Sequence, residues 1–206
     1  MNPTTHYEED FNKAASFHGH VCPGLSIGYR AARIALQALE ADRPQDEQLV
    51  AVVENDSCAV DAIQYILGCT FGKGNLIYRD HGKQVYTVIS RNTDKAVRLA
   101  MKPDAVKPDP EAQELFRKVR GKEASDEETQ LFRKKHEERS RRILDAPDEQ
   151  LFTVKSVAPE VPEQARIFTS LVCARCGEGV MEPRARIRDG VTVCIPCADD
   201  YQCVKR

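Results

Sequence analysis

The stretch Leu49-Val50-Ala51-Val52-Val53-Glu54-Asn55-Asp56-Ser57-Cys58-Ala59-Val60-Asp61-Ala62-Ile63-Gln64 changes its period halfway along. Leu49 to Val53 is a continuous apolar run of strand length and reads as a buried strand. Asn55-Asp56-Ser57 breaks it, and from Cys58 to Leu67 apolar residues recur at helical spacing. A buried strand feeding a helix points to a fold that combines a sheet with helices.

The flanking sequence extends this pattern. A short helix is expected over about Glu8 to Ser16 and a second from about Leu25 to Leu39. In the second, Leu25, Gly28, Ala32, Ala35, Leu36 and Leu39 form an apolar stripe, with Arg30, Arg33, Gln37 and Glu40 on the opposite face. Asn75–Tyr78, Gln84–Ser90 and Ala96–Met101 are further strand candidates, separated by turn residues. Prolines in 103–110 break the chain. Two charged helices then follow, the second opened by a Ser125/Glu128 capping box. That second helix is so polar that it is either solvated or packed on a partner, and a homodimer through 111–145 is expected. Leu151–Val157 reads as a last strand at a sheet edge. The fold class is α+β, with a core domain over 1–160, a proline-marked linker and a small domain over 166–206.

The small domain carries the sharpest chemical pattern. Cys173-Ala-Arg-Cys176 is separated by seventeen residues from Cys194-Ile-Pro-Cys197. Paired CxxC motifs at that distance bring four thiolates around one tetrahedral zinc ion. Arg186-Ile187-Arg188 and Val191-Thr192-Val193 flank Asp189-Gly190 and read as a hairpin. A helix start at Pro196 then carries the last ligands. Knuckle, hairpin and helix in that order resemble a treble-clef finger. Redox CxxC pairs are the alternative, but neither pair follows a βαβ pattern. Cys203 is left over and reads as a plain thiol. Arg175, Arg184, Arg186 and Arg188 make the segment locally basic. Interspersed acids favour a solvated face over a nucleic-acid contact.

Composition bounds the rest. With 41% hydrophobic and 30% charged residues and a formal charge of −2, the chain has no global pull towards nucleic acid or membrane. No apolar run approaches the ~20 residues of a membrane helix. Met1 to Asp10 carries no signal-peptide core. A cytoplasmic location is expected, where eight cysteines suit metal binding better than disulfides.

A second site is expected in the core domain. His18, His20 and Cys22 alternate, so an extended segment would project all three to one side. Cys22 and Cys58 each stand at a helix start, where the helix N-terminus favours thiolate. The expectation is one cleft in which His18, His20, Cys22 and Cys58 hold zinc, iron or copper, with Cys22 or Cys58 as an alternative nucleophile. Surface histidines and buried structural thiols are the plain alternative. Gly68-Cys69-Thr70-Phe71-Gly72-Lys73-Gly74-Asn75 is glycine-rich but lacks the P-loop spacing. It is expected beside the cleft, with Lys73 holding an anionic substrate. Asp56 and Asp61 read as helix caps more readily than as residues that orient ligands.

Three motifs carry a family resemblance. Phe17-His18-Gly19-His20-Val21-Cys22-Pro23-Gly24 leading into Gly28-Tyr29-Arg30-Ala31-Ala32 resembles the E-subunit family of formylmethanofuran dehydrogenase. So do Glu54–Gln64 and Gly68–Leu76. The resemblance implies a mixed sheet of about five strands with flanking helices. It also implies association with the other subunits of a molybdenum or tungsten formylmethanofuran dehydrogenase, in one-carbon, methanogenesis-related redox metabolism. The C-terminal finger occurs in some members. Nothing resembles a molybdopterin-binding or iron–sulfur catalytic subunit, so a metal-dependent redox role and a non-catalytic accessory role both stay open.

Overall fold

The computed structural model describes residues 3–106, 110–164 and 166–199. The chain divides into two compact units, Met1–Gln164 and Ala165–Arg206.

The first unit opens with helices α1 (Pro3–His18) and α2 (Pro23–Leu39). Strand β1 (Leu49–Val53) feeds α3 (Ala59–Leu67), and β2 (Leu76–Tyr78), β3 (Val85–Ser90) and β4 (Lys95–Met101) follow. A hairpin of helices, α4 (Pro110–Gly121) and α5 (Asp126–Asp145), precedes a short α6 (Asp148–Leu151) and β5 (Phe152–Val157). The five strands form one mixed sheet in the order β2-β1-β3-β4-β5. Strands β1 and β2 run parallel, the other neighbours run antiparallel, and β5 closes one edge.

Every residue of β1 is buried, as its unbroken apolar run requires. Leu49, Ala51 and Val53 face the main core with α2 and α3, while Val50 meets Ile89 and Ala96 on the other face. Helix α2 is buried along most of its length, including Arg30 at 7% exposure. This corrects the sequence reading of Arg30 as part of a polar face. Its guanidinium donates to the Ile143 and Leu144 carbonyls, at 2.8 and 2.5 Å, and pairs with Asp148. A cation on the exposed carbonyls of a helix end is favourable there. Arg30 thus ties the end of α5 to the core.

Helix α5 is solvated: Ser140 and Ile143 are its buried residues. The Ser125/Glu128 capping box is formed as the sequence indicated.

The second unit pairs β6 (Ser170–Val172) with β7 (Gly179–Met181), and β8 (Arg186–Arg188) with β9 (Val191–Val193). Asp189 and Gly190 both adopt positive φ, the hairpin turn that Asp-Gly favours. The short α7 (Ile195–Asp199) follows, while Cys203 lies outside the described residues. Among the described residues the buried centre is Cys173, Val193 and Cys194. So small a core needs a cross-link to hold it.

Candidate metal centres

In the second unit the sulfurs of Cys173, Cys176, Cys194 and Cys197 all lie within 4.8 Å of one another. Cys176 Sγ and Cys194 Sγ are 3.9 Å apart. Two thiolates at ~2.3 Å on a tetrahedral ion would be about 3.8 Å apart, so the cage fits zinc. The electrostatics agree. Backbone N–H groups of Cys176, Cys194 and Arg175 hold Cys173 down at about 6, overcoming burial. Cys197 is pushed up to about 12 by its Cys194 neighbour, burial and the other sulfurs. A cation removes that mutual penalty on the thiolates.

In the first unit the three ligands expected from the loop after α1 do converge. One ligand atom each from His18, His20 and Cys22 lies within 4.8 Å of the other two. They converge by a route other than the extended segment expected. His18 is the last residue of α1, Gly19 turns the chain at φ +96, and Cys22 caps α2 in extended conformation. A helix end and a glycine turn thus do what an alternating strand would have done.

Asp61 on α3 meets His18, with Oδ2 at 2.6 Å from Nδ1. A carboxylate accepts, so Nδ1 carries the proton and Nε2 presents its lone pair. Nε2 is 3.8 Å from Cys22 Sγ. Ligands at ~2.0–2.1 Å (N) and ~2.3 Å (S) on one tetrahedral ion would be about 3.5 Å apart. Carboxylate, imidazole and ligand position in line is the arrangement that fixes metal-binding histidines. The His20 ring lies 4.5 Å from that of His18. Asp61 therefore has an orienting role in addition to its place in the first turn of α3.

Cys58 stands beside this trio and outside it. It borders Cys22, and both line a cavity of about 450 Å³ together with His20. The two thiols approach because α2 carries glycines where α3 crosses. A Cβ on Gly28 would sit 2.0 Å from the Ala59 carbonyl oxygen, and one on Gly24 would sit 3.0 Å from Cys58 Cβ. The Leu25 N–H does reach Cys22 Sγ, at 3.4 Å. Even so, burial and the neighbouring Cys58 push the metal-free Cys22 thiol up to about 11. This corrects the expected fall: desolvation of the thiolate outweighs the helix N-terminus.

Lys73 is placed elsewhere. Its loop leaves the C-terminal end of α3, whereas Cys58 precedes the N-terminal end. Nine residues of helix, about 13 Å, separate the two ends. Gly68 lies against Arg43 and Pro44, and the buried Asn75 amide braces the loop through Thr70 N–H and the Leu49 carbonyl. The expectation of Lys73 at the cleft is corrected by this topology. The cations at the cavity come from α5 instead: Lys135, Arg139 and Arg142, with His136 beside them held below the ordinary imidazole range by burial and the Arg139 charge. None was singled out from sequence, although 135, 139 and 142 fall on one helix face.

Fold and cysteine cage together define a metal-binding α+β protein with a C4-type zinc finger. Its three sequence motifs lie in the α+β unit, and the chain belongs to the FmdE family, described as "FmdE, Molybdenum formylmethanofuran dehydrogenase operon", whose profile matches residues 17–153. Residues 166–203 match the prokaryotic dksA/traR C4-type zinc finger. A curated relative, the "Probable S-adenosyl-L-methionine-binding protein" of Archaeoglobus fulgidus, is 35% identical over 98% of this chain. The chain spans about half of that relative's length, 56%. A crystal structure of a tungsten formylmethanofuran dehydrogenase FmdE-like protein from Syntrophus aciditrophicus shares the fold. It has a TM-score of 0.61 and 22% identity, covering 96% of this chain and 95% of that one. Among the described residues no helix is long and apolar enough to cross a membrane.

Proposed function

We propose that the first unit binds a transition metal through His18, His20 and Cys22 and offers it to a ligand in the adjoining cavity. The Asp61–His18 pair, aimed past Nε2 at Cys22, carries this reading. Imidazole and thiolate donors suit zinc, iron or copper. Three protein ligands leave a fourth position open, as sites that do chemistry require. His20 is exposed, so the position is reachable. On this reading the protein serves a redox or transfer step of one-carbon metabolism. Its partners would be the other subunits of a molybdenum or tungsten formylmethanofuran dehydrogenase, an association that rests on the family. A second copy packing on the exposed α4–α5 face, which presents Phe116 and Leu131, belongs to the same proposal. A monomer by light scattering at micromolar concentration contradicts that part.

One observation favours a second reading. Cys58 is close enough to Cys22 to affect its titration. Were it to swing in as a fourth ligand, the site would be closed and the protein a non-catalytic accessory component. Cadmium-113 NMR of the full chain, loaded anaerobically, separates the two. The open site predicts a four-sulfur resonance and a second one with a single sulfur, and the second disappears in His18→Ala. A two-sulfur second resonance establishes the closed site. A lone four-sulfur resonance at two equivalents of cadmium overturns both.

A further inference from the structure

The cavity beside the His18–His20–Cys22 cluster has one wall supplied by α5. Lys135, Arg139 and Arg142 lie on that wall at helical spacing, and no Asp or Glu lines the cavity among the described residues. Lys135 is answered by Glu111 at 2.7 Å. The two arginines have no such answer among the described residues. Arg139 donates from one terminal nitrogen to the Val106 carbonyl at 2.8 Å, while its buried Nε–H meets no acceptor. Burial and then the Arg142 charge lower the Arg139 pKa, so the two guanidiniums disfavour each other.

An unmet buried N–H and two like charges on one helix face both cost stability, and no Asp or Glu among the described residues lines the cavity to offset them. An oxyanion offsets both at once. Its oxygens accept from guanidinium N–H groups in the forked geometry that arginine presents, and its charge cancels the repulsion. The opposite wall of the same cavity carries His20, Cys22 and Cys58. A volume of about 450 Å³ leaves room for more than the anion itself.

We propose that this cavity binds a small organic oxyanion, a carboxylate or a phosphate ester, with its anionic group on Arg139 and Arg142 and its remainder directed at the metal cluster. The inference rests on the metal reading above for the second half of that statement only. The α4–α5 hairpin then determines which ligands reach the metal, and the Arg30 clamp on the end of α5 keeps Arg142 in place.

The test is calorimetric titration of the zinc-loaded full chain with inorganic phosphate and, separately, with acetate. One of the two should saturate at one per chain, which also tells phosphate from carboxylate. Arg139→Gln and Arg142→Gln should each weaken that binding about tenfold or more, the range of a lost hydrogen bond to a charged group. Zinc content should match wild type in both variants. Should Arg139→Gln misfold, Arg142→Gln decides, because Arg142 is exposed. No binding of either anion, or wild-type affinity in the folded variants, overturns the proposal. A wild type that holds one zinc yet binds phosphate or acetate through the arginines sinks the metal reading and leaves the anion site standing.

Discussion

Asp61 reaches across 43 residues of sequence to set the tautomer of His18. Carboxylates in that position typically raise metal affinity 10–100-fold. Asp61→Asn should therefore weaken the first unit's metal site by about that factor, measured by competition with a chelator, with circular dichroism unchanged. Unaltered affinity would mean that the 2.6 Å contact is incidental. At this scale the sequence was informative where ligands are neighbours. His18, His20 and Cys22 sit within five positions, so local geometry alone can gather them. It was silent where the chain must fold first. Asp61 reads more readily as a helix cap than as an orienting residue, and Arg139 lies 117 positions from Cys22 on a helix whose polarity reads as solvation. The pKa of Cys22 illustrates the same limit: a helix start is visible in sequence, whereas the burial that outweighs it is not.

Helices α2 and α3 cross where Gly24 and Gly28 leave no side chain. The Gly28 neighbour is backbone and cannot give way. Gly28→Ala should cost about 1–3 kcal/mol in chemical denaturation, as overpacking does, and should move Cys58 away from Cys22. A stability equal to wild type would show that the helices slide apart freely. Sequence periodicity located both helices but counted Gly28 as one more apolar residue; a close approach has no periodic signature. Beyond the end of β1, burial alone would raise the pKa of Glu54, but the His81 hydrogen bond and the Arg98 charge hold it below the ordinary 4.5. Its ionised form is thus favoured by folding. That stability is present above about pH 4.5 and is lost as pH falls through the lower folded value. Glu54→Gln should flatten the acid limb of melting temperature against pH, and an unchanged acid limb would contradict the assignment. Strand bounds were legible to within a residue because β1 is buried on both faces and β3 and β4 are punctuated by turns. The α4–α5 hairpin was legible as helices, but its role as a cavity wall was not.

The molecule divides into a unit that holds itself together and a unit that needs its ion. The first has a core spanning α1 to β5, whereas the second buries three residues among those described. Cys194→Ser should lose one zinc per chain and expose residues beyond about 166 to protease while the first unit stays folded. Retained zinc with retained protease resistance would contradict this. The four-cysteine cage was legible in full, since spacing and tetrahedral chemistry leave little else to decide. The cavity of the first unit was not, because it joins α2, α3, α4 and α5 and exists only when all four are in place. The central claim is that the chain carries two metal centres, one structural and one built on His18, His20 and Cys22. Metal analysis of anaerobically purified full chain, wild type beside Cys22→Ser, tests it most directly. Two ions per chain in the wild type and one in the folded variant is the predicted result; one ion in both, or two in both, contradicts it.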